Sequence, residues 1–181
     1  MQTERSDAQE AAAEAPAPPQ TRSLHILIVD GLHLNVKMAT RLLGDSRWGM
    51  HHTTVGATGT NCGQNALDIL HASMQPFSQR IDLLLIGQIS GTGPFNEYET
   101  IRRIRRAETE AAALFANDDQ EEQKEALFVA PYRVNIVNWT GDGMGREEAF
   151  SAGSDGFFIK GGNFRADFNA IVEALHFADI D

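Results

Sequence analysis

The run Ile81-Asp82-Leu83-Leu84-Leu85-Ile86-Gly87-Gln88-Ile89-Ser90-Gly91 has an apolar core closed by glycine and serine. Leu83 to Ile86 show no polar alternation, which predicts a strand buried on both faces, as in a parallel sheet covered by helices. In an open α/β sheet, binding and chemistry gather just beyond the carboxyl ends of such strands. Residue 87 is where this strand would present a reactive group, and it is glycine. That position has no side chain with which to do chemistry.

Working outward, Leu24 to Val29 read as a buried strand that ends at Asp30-Gly31. Leu34, Met38 and Leu42, with Ala39 and Leu43 beside them, predict the inner face of a helix closed by Gly44 and Asp45. A weaker strand is expected from Met50 to Ala57. Gly63 leads into a helix with Ala66, Leu67, Leu70 and Met74 turned inward, and Pro76 ends it. Beyond the central strand, Gly91-Thr92-Gly93-Pro94 precedes a helix capped by Asn96. Tyr98, Ile101 and Ile104 lie inside that helix, and Arg102, Arg103, Arg105 and Arg106 face mostly outward. Val134 to Thr140, a short helix over Glu147–Ala152, Gly156 to Lys160, and a helical stripe of Phe164, Phe168, Ile171, Val172 and Leu175 complete the series. Five strands alternating with helices predict one parallel sheet with helices on both faces.

The net charge is −10, and it is unevenly spread. Residues 107–131 hold seven acids and one lysine, an acidic insertion ahead of the fourth strand, into which Ala111 to Leu114 suggest that the preceding helix extends. No basic field faces a phosphate backbone, so nucleic acid is not an expected partner. Residues 1–23 are polar and Ala/Pro-rich, with no secretion signal, and predict a disordered tail before a domain over 24–181. No apolar run approaches the roughly 20 residues of a membrane span. The single cysteine, Cys62, excludes an internal disulfide and fits a reducing, cytoplasmic setting. His51 and His52 fall on opposite faces of a strand without metal-spaced neighbours and read as structural. No cofactor or metal is expected.

The order of these segments resembles the receiver domain of two-component response regulators, a (βα)5 flavodoxin-like fold, over about residues 24–177. Ile28-Val29-Asp30-Gly31 with Leu34-Asn35 is similar to the family's first strand and turn. Asp82 to Ile86 lead to its phosphoacceptor position. Tyr98-Glu99-Thr100-Ile101-Arg102-Arg103-Ile104-Arg105 resembles its third helix. Thr140 falls at its switch threonine, and Ala152-Gly153-Ser154-Asp155-Gly156-Phe157-Phe158-Ile159-Lys160 resembles the run into its lysine, with Phe157 at the switch aromatic.

The departures from that pattern carry the function. Phosphoryl transfer needs a carboxylate nucleophile and an acidic cluster for Mg²⁺. The resemblance places Gly87 at the nucleophile and Gly31 at the second acid, which leaves Asp30 alone. Asp82 and Asp155 each lie five residues before the strand end, roughly 16 Å away. Asp142 is at the correct end, but in a loop. The remnant of a receiver site is therefore Asp30, Thr140, Phe157 and Lys160, with nothing catalytic among them. Phe157 also reads as packing, Thr140 as a strand-end residue and Lys160 as a solvated lysine. Asp30 is expected to pair with Lys160 rather than a metal, in a partly exposed contact worth no more than roughly 1 kcal/mol.

The expected function is a non-catalytic pseudo-receiver, an interaction module that works without phosphorylation. Its partner would be a signalling protein such as a histidine kinase, a phosphotransfer protein or another regulator; a homodimer stays open, and no membrane is expected. In the family, partners dock on the face made by the fourth helix, fifth strand and fifth helix. The alternative is a sensor that takes a nucleotide or other anion into the crevice left by Gly31 and Gly87, near the amides of Gly91-Thr92-Gly93.

Overall fold

A computed structural model describes residues 22–43, 53–74, 78–89, 95–116, 133–161 and 163–174. Five strands run in chain order: β1 (Arg22–Val29), β2 (Thr53–Thr60), β3 (Leu83–Ile86), β4 (Asn135–Thr140) and β5 (Gly156–Ile159). Five helices alternate with them: α1 (His33–Leu43), α2 (Gly63–Ser73), α3 (Glu97–Ala116), α4 (Arg146–Ala152) and α5 (Phe164–Ala174). All neighbouring strands pair in parallel, in the order β2-β1-β3-β4-β5.

β3 is buried at every position, so its neighbours β1 and β4 lie inside the sheet with it. Alternate residues enter two cores. Leu27, Val29, Leu84, Ile86 and Ile136 pack under α2, α3 and the end of α4. Leu24, Ile26, Ile28, Leu83, Leu85 and Val137 pack under α1 and α5, where Phe168 and Ile171 close the layer. Asn96 caps α3 as expected: its Oδ1 accepts the Glu99 N–H at 2.9 Å.

Four expectations are corrected. β1 begins at Arg22, inside the stretch assigned to the tail. β2 lies about three residues later than its weak sequence pattern suggested, because pairing with β1 (Arg22 opposite Thr53, Val29 opposite Thr60) sets its register. On α1 the buried residues are Val36, Ala39 and Leu43, while Leu34, Met38 and Leu42 are exposed. Val36 seats against Gly59 of β2, where no β-carbon stands in its way, and this turns Leu34 and Met38 outward.

Arg105 is the fourth. It faces inward, donating to the carbonyls of Gly153 (2.8 Å) and Val134 (2.9 Å), to Glu108 (2.7 Å) and to Asp155 (2.5 Å). The first ten residues assigned to the acidic insertion, 107–116, continue α3. Within them Glu108 accepts the Val134 N–H at 2.8 Å. Residues 1–21, His51 and His52, Pro76, Gly91–Pro94, 117–132 and Leu175 lie outside the described residues. Among the described residues, no helix is long and apolar enough to cross a membrane.

Candidate functional site

The carboxyl ends of β1, β3, β4 and β5 meet at one edge of the sheet. The strand ends are knitted by backbone bonds from Gly87 N–H to the Val29 carbonyl (2.7 Å) and from Gly31 N–H to the Gln88 carbonyl (2.8 Å). Asp30 and Gly87 continue the parity of Ile28 and Leu85, and Lys160 that of Phe158, so all three point to the α1 and α5 side. Two strands separate β1 from β5, a gap of about 14 Å between strand axes. Lys160 nevertheless reaches across it, and its ammonium pairs with Asp30 Oδ2.

Gly87 makes that reach feasible. A β-carbon there would stand inside the contact distance of Asp30 Oδ2 and 3.0 Å from Lys160 Nζ. The ion pair thus occupies the volume that a side chain at position 87 would take. Asp30 is only 2% exposed, and its other oxygen accepts the Leu32 N–H at 2.9 Å and the Asn35 amide at 3.1 Å. Lys160 is held from two further sides. Its backbone N–H donates to the Thr140 carbonyl at 2.5 Å, and its ammonium lies 4.7 Å from the centre of the buried Trp139 ring.

Asp30 and Lys160 are therefore together, as expected, but the pair is more buried than a surface salt bridge. Thr140 and Phe157 are placed differently. Thr140 meets Lys160 through its backbone, while its side chain shares the parity of Ile136 on the opposite side of the sheet. Phe157 is half-buried on that same side, with the Arg146 guanidinium 5.9 Å from its ring centre. The four residues form two groups, one on each face.

Of the acids weighed as substitutes, Asp82 accepts the His25 N–H at 2.8 Å, far down β1 from Asp30. Asp155 is held by Arg105 and by Arg133 (2.5 Å). Asp142 is in the loop after β4, where it accepts the Met144 N–H at 3.0 Å. Three participants were not anticipated: Asn35, Trp139 and Arg146. Only Asn35, five residues after Asp30, carried a local signal, since asparagine next to a turn commonly bonds backward. Beside α4, burial pushes the Tyr98 hydroxyl above its ordinary value of 10.0, and the carboxylates of Glu97, Glu148 and Asp142 add to the rise.

No protein-family model matches the chain, and no curated protein matches its sequence. Solved structures do match it in shape. A two-component response regulator from Clostridium difficile is 16% identical with a TM-score of 0.57, covering 86% of this chain and 98% of its own. A response regulator receiver protein from Burkholderia phymatum is 21% identical with a TM-score of 0.53, covering 86% and 97%. The response regulator TrrA from Thermotoga maritima, solved in complex with Mg²⁺ and BeF, is 16% identical with a TM-score of 0.51, covering 83% and 98%. The fold is that of a receiver domain.

Mg²⁺ does not fit the described residues gathered at this edge of the sheet. A hard dication takes several oxygen donors. Here Asp30 spends one oxygen on Lys160 and the other on two N–H donors. Among the described residues, no group of three or more His, Cys, Asp or Glu is placed to hold a metal.

Proposed function

We propose that the chain is a pseudo-receiver: a receiver-fold interaction module of an intracellular signalling pathway, set in one state without phosphorylation. One observation carries this reading. The place where the family resemblance puts the phosphoacceptor is Gly87, and its side-chain volume is filled by the Asp30–Lys160 pair. The fixed pair stands where a phosphoryl-dependent contact would otherwise form. Exposed Met144, Phe150 and Ile159 around α4 and β5 offer an apolar surface on the face where receiver partners dock.

The same observation weighs against the anion sensor. At Gly87 the expected crevice already holds a carboxylate and its counter-charge. A cavity lined by His25, Thr58, Ile69 and Gln79 opens at the other end of β1, some five residues from Asp30, and takes no part in that site.

Incubation with acetyl phosphate and Mg²⁺, followed by intact-mass measurement, tests the proposal. No added phosphate is expected, and Mg²⁺ alone should leave the melting temperature unchanged. A phosphoryl adduct on the natural chain would falsify phosphorylation independence.

A further inference from the structure

On the side of β1 that faces α2, the row of residues is His25, Leu27 and Val29. Leu27 and Val29 join the core, while the His25 side chain lines a cavity of about 480 Å³. Thr58 of β2, Ile69 and Ala72 of α2, and Gln79 and Ile81 on the approach to β3 are among its other walls. Small residues leave the space open. The β2 residue paired with His25 is Gly56, which has no side chain, and Ala72 stands on the α2 wall. The volume falls within the range of about 300–1,000 Å³ typical of small-molecule sites.

His25 is the polar member of that row. Its Nε2 is buried with no hydrogen-bond partner among the described residues. An unpaired buried nitrogen costs stability, and an aromatic or aliphatic side chain would continue the row without that cost. Breaks of this kind in an otherwise consistent pattern gather at functional sites. The ring lines the cavity while Nε2 itself is sealed from solvent. A half-turn about the soft Cβ–Cγ torsion exchanges that nitrogen with the ring carbon Cε1 and keeps the outline of the ring. The lining, among the described residues, bears no carboxylate, ammonium or guanidinium group.

We propose that this cavity binds an uncharged heterocycle of nucleoside size. Ile69 and Ile81 give apolar walls for the faces of its ring. The His25 imidazole and the Gln79 amide, each able to donate and accept, meet its polar edge, and the Thr58 hydroxyl meets a hydroxylated substituent. A charged ligand would be desolvated here without a counter-charge, and an anion would also meet a chain of net charge −10. The cavity lies toward the opposite end of β1 from Asp30, so the inference goes beyond the interaction-module reading, and the two can fail separately.

The test titrates the full chain, labelled for NMR, with adenosine, guanosine, cytidine and uridine, each up to about 1 mM. At least one should bind, with shift changes centred on His25, Thr58, residues 69–73 and residues 78–81. Its 5′-monophosphate should bind several-fold more weakly. His25→Phe removes the unpaired nitrogen and keeps a ring, so it should weaken binding by about tenfold or more without lowering the melting temperature. Ala72→Phe, at an exposed helix position, should block the cavity and leave the circular dichroism unchanged. Absence of binding by all four nucleosides overturns the proposal. So do shift changes centred on Asp30 and Gly87, or a monophosphate that binds as tightly as its nucleoside. Full affinity in both the His25 and the Ala72 variants overturns it as well.

Discussion

Lys160→Ala would leave the Asp30 carboxylate with two N–H donors and no counter-charge, in a site where that carboxylate is 2% exposed. Removing one partner of a buried pair commonly costs 3–5 kcal/mol; Lys160 is itself about one-fifth exposed, so water softens the loss to roughly 2 kcal/mol. For a chain of this size that is a fall in melting temperature of about 4–8 °C. Asp30→Asn combined with Lys160→Met should recover most of it, since no charge is then stranded. A single variant that melts within a degree of the natural chain would show the pair to be idle. Tyr98 gives the pH counterpart. Its folded value is raised, so its contribution is fully present below about 10 and is lost as pH rises through the folded value. Tyr98→Phe should therefore flatten the alkaline end of the stability profile and leave the neutral region alone. An unchanged alkaline slope would count against this assignment.

A side-chain network joins α3 to β4 and the turn into β5. One guanidinium, that of Arg105, serves two carbonyls and two carboxylates there, while Glu108 and Asp155 also accept the Val134 and Ile136 N–H groups. Lysine has a single ammonium and no planar fork, so Arg105→Lys should strand at least one acceptor and cost about 2–4 kcal/mol. Arg106→Lys, one position along on the exposed side, should stay within about 0.5 kcal/mol. Urea unfolding of both would settle the matter; equal midpoints would mean that the network contributes nothing net. The α4 end is sensitive for a different reason. Gly153 sits at φ 107°, and a β-carbon there would stand 2.7 Å from Arg105 Cγ. Gly153→Ala should therefore lower stability by roughly 1–3 kcal/mol, read from the same urea curves.

For the molecule as a whole, the acidic stretch divides in two. Residues 117–125, Asn-Asp-Asp-Gln-Glu-Glu-Gln-Lys-Glu, contain no apolar side chain with which to join a core. Replacing 117–125 with a short Gly/Ser linker should hold the melting temperature within about 2 °C. Deleting all of 107–131 also removes Glu108 and the last turns of α3, and should cost several degrees more. If both deletions melt alike, the Glu108 contact with Val134 is dispensable.

Much of the architecture was written in local pattern. β3 is apolar without alternation because both its faces are covered, and α5 shows its stripe because one side alone meets the sheet. The pairing of Asp30 with Lys160 was likewise legible, since both close strands at one edge and Gly87 bars nothing between them. Local pattern was silent wherever a residue had two acceptable surroundings. α1 is apolar at two angles, and only Val36 seated on Gly59 decided which of them faces the sheet. β2 has a weak pattern of its own, and pairing with β1 fixed its bounds. Arg105 reads as a solvated cation until α3, β4 and the turn into β5 bring four acceptors to it. The sequence thus determined the elements and their alternation, because those follow from the spacing of apolar residues along the chain. Which face each element turned, and which charge met which, depended on atoms far apart in the chain, and only the tertiary structure brought those together.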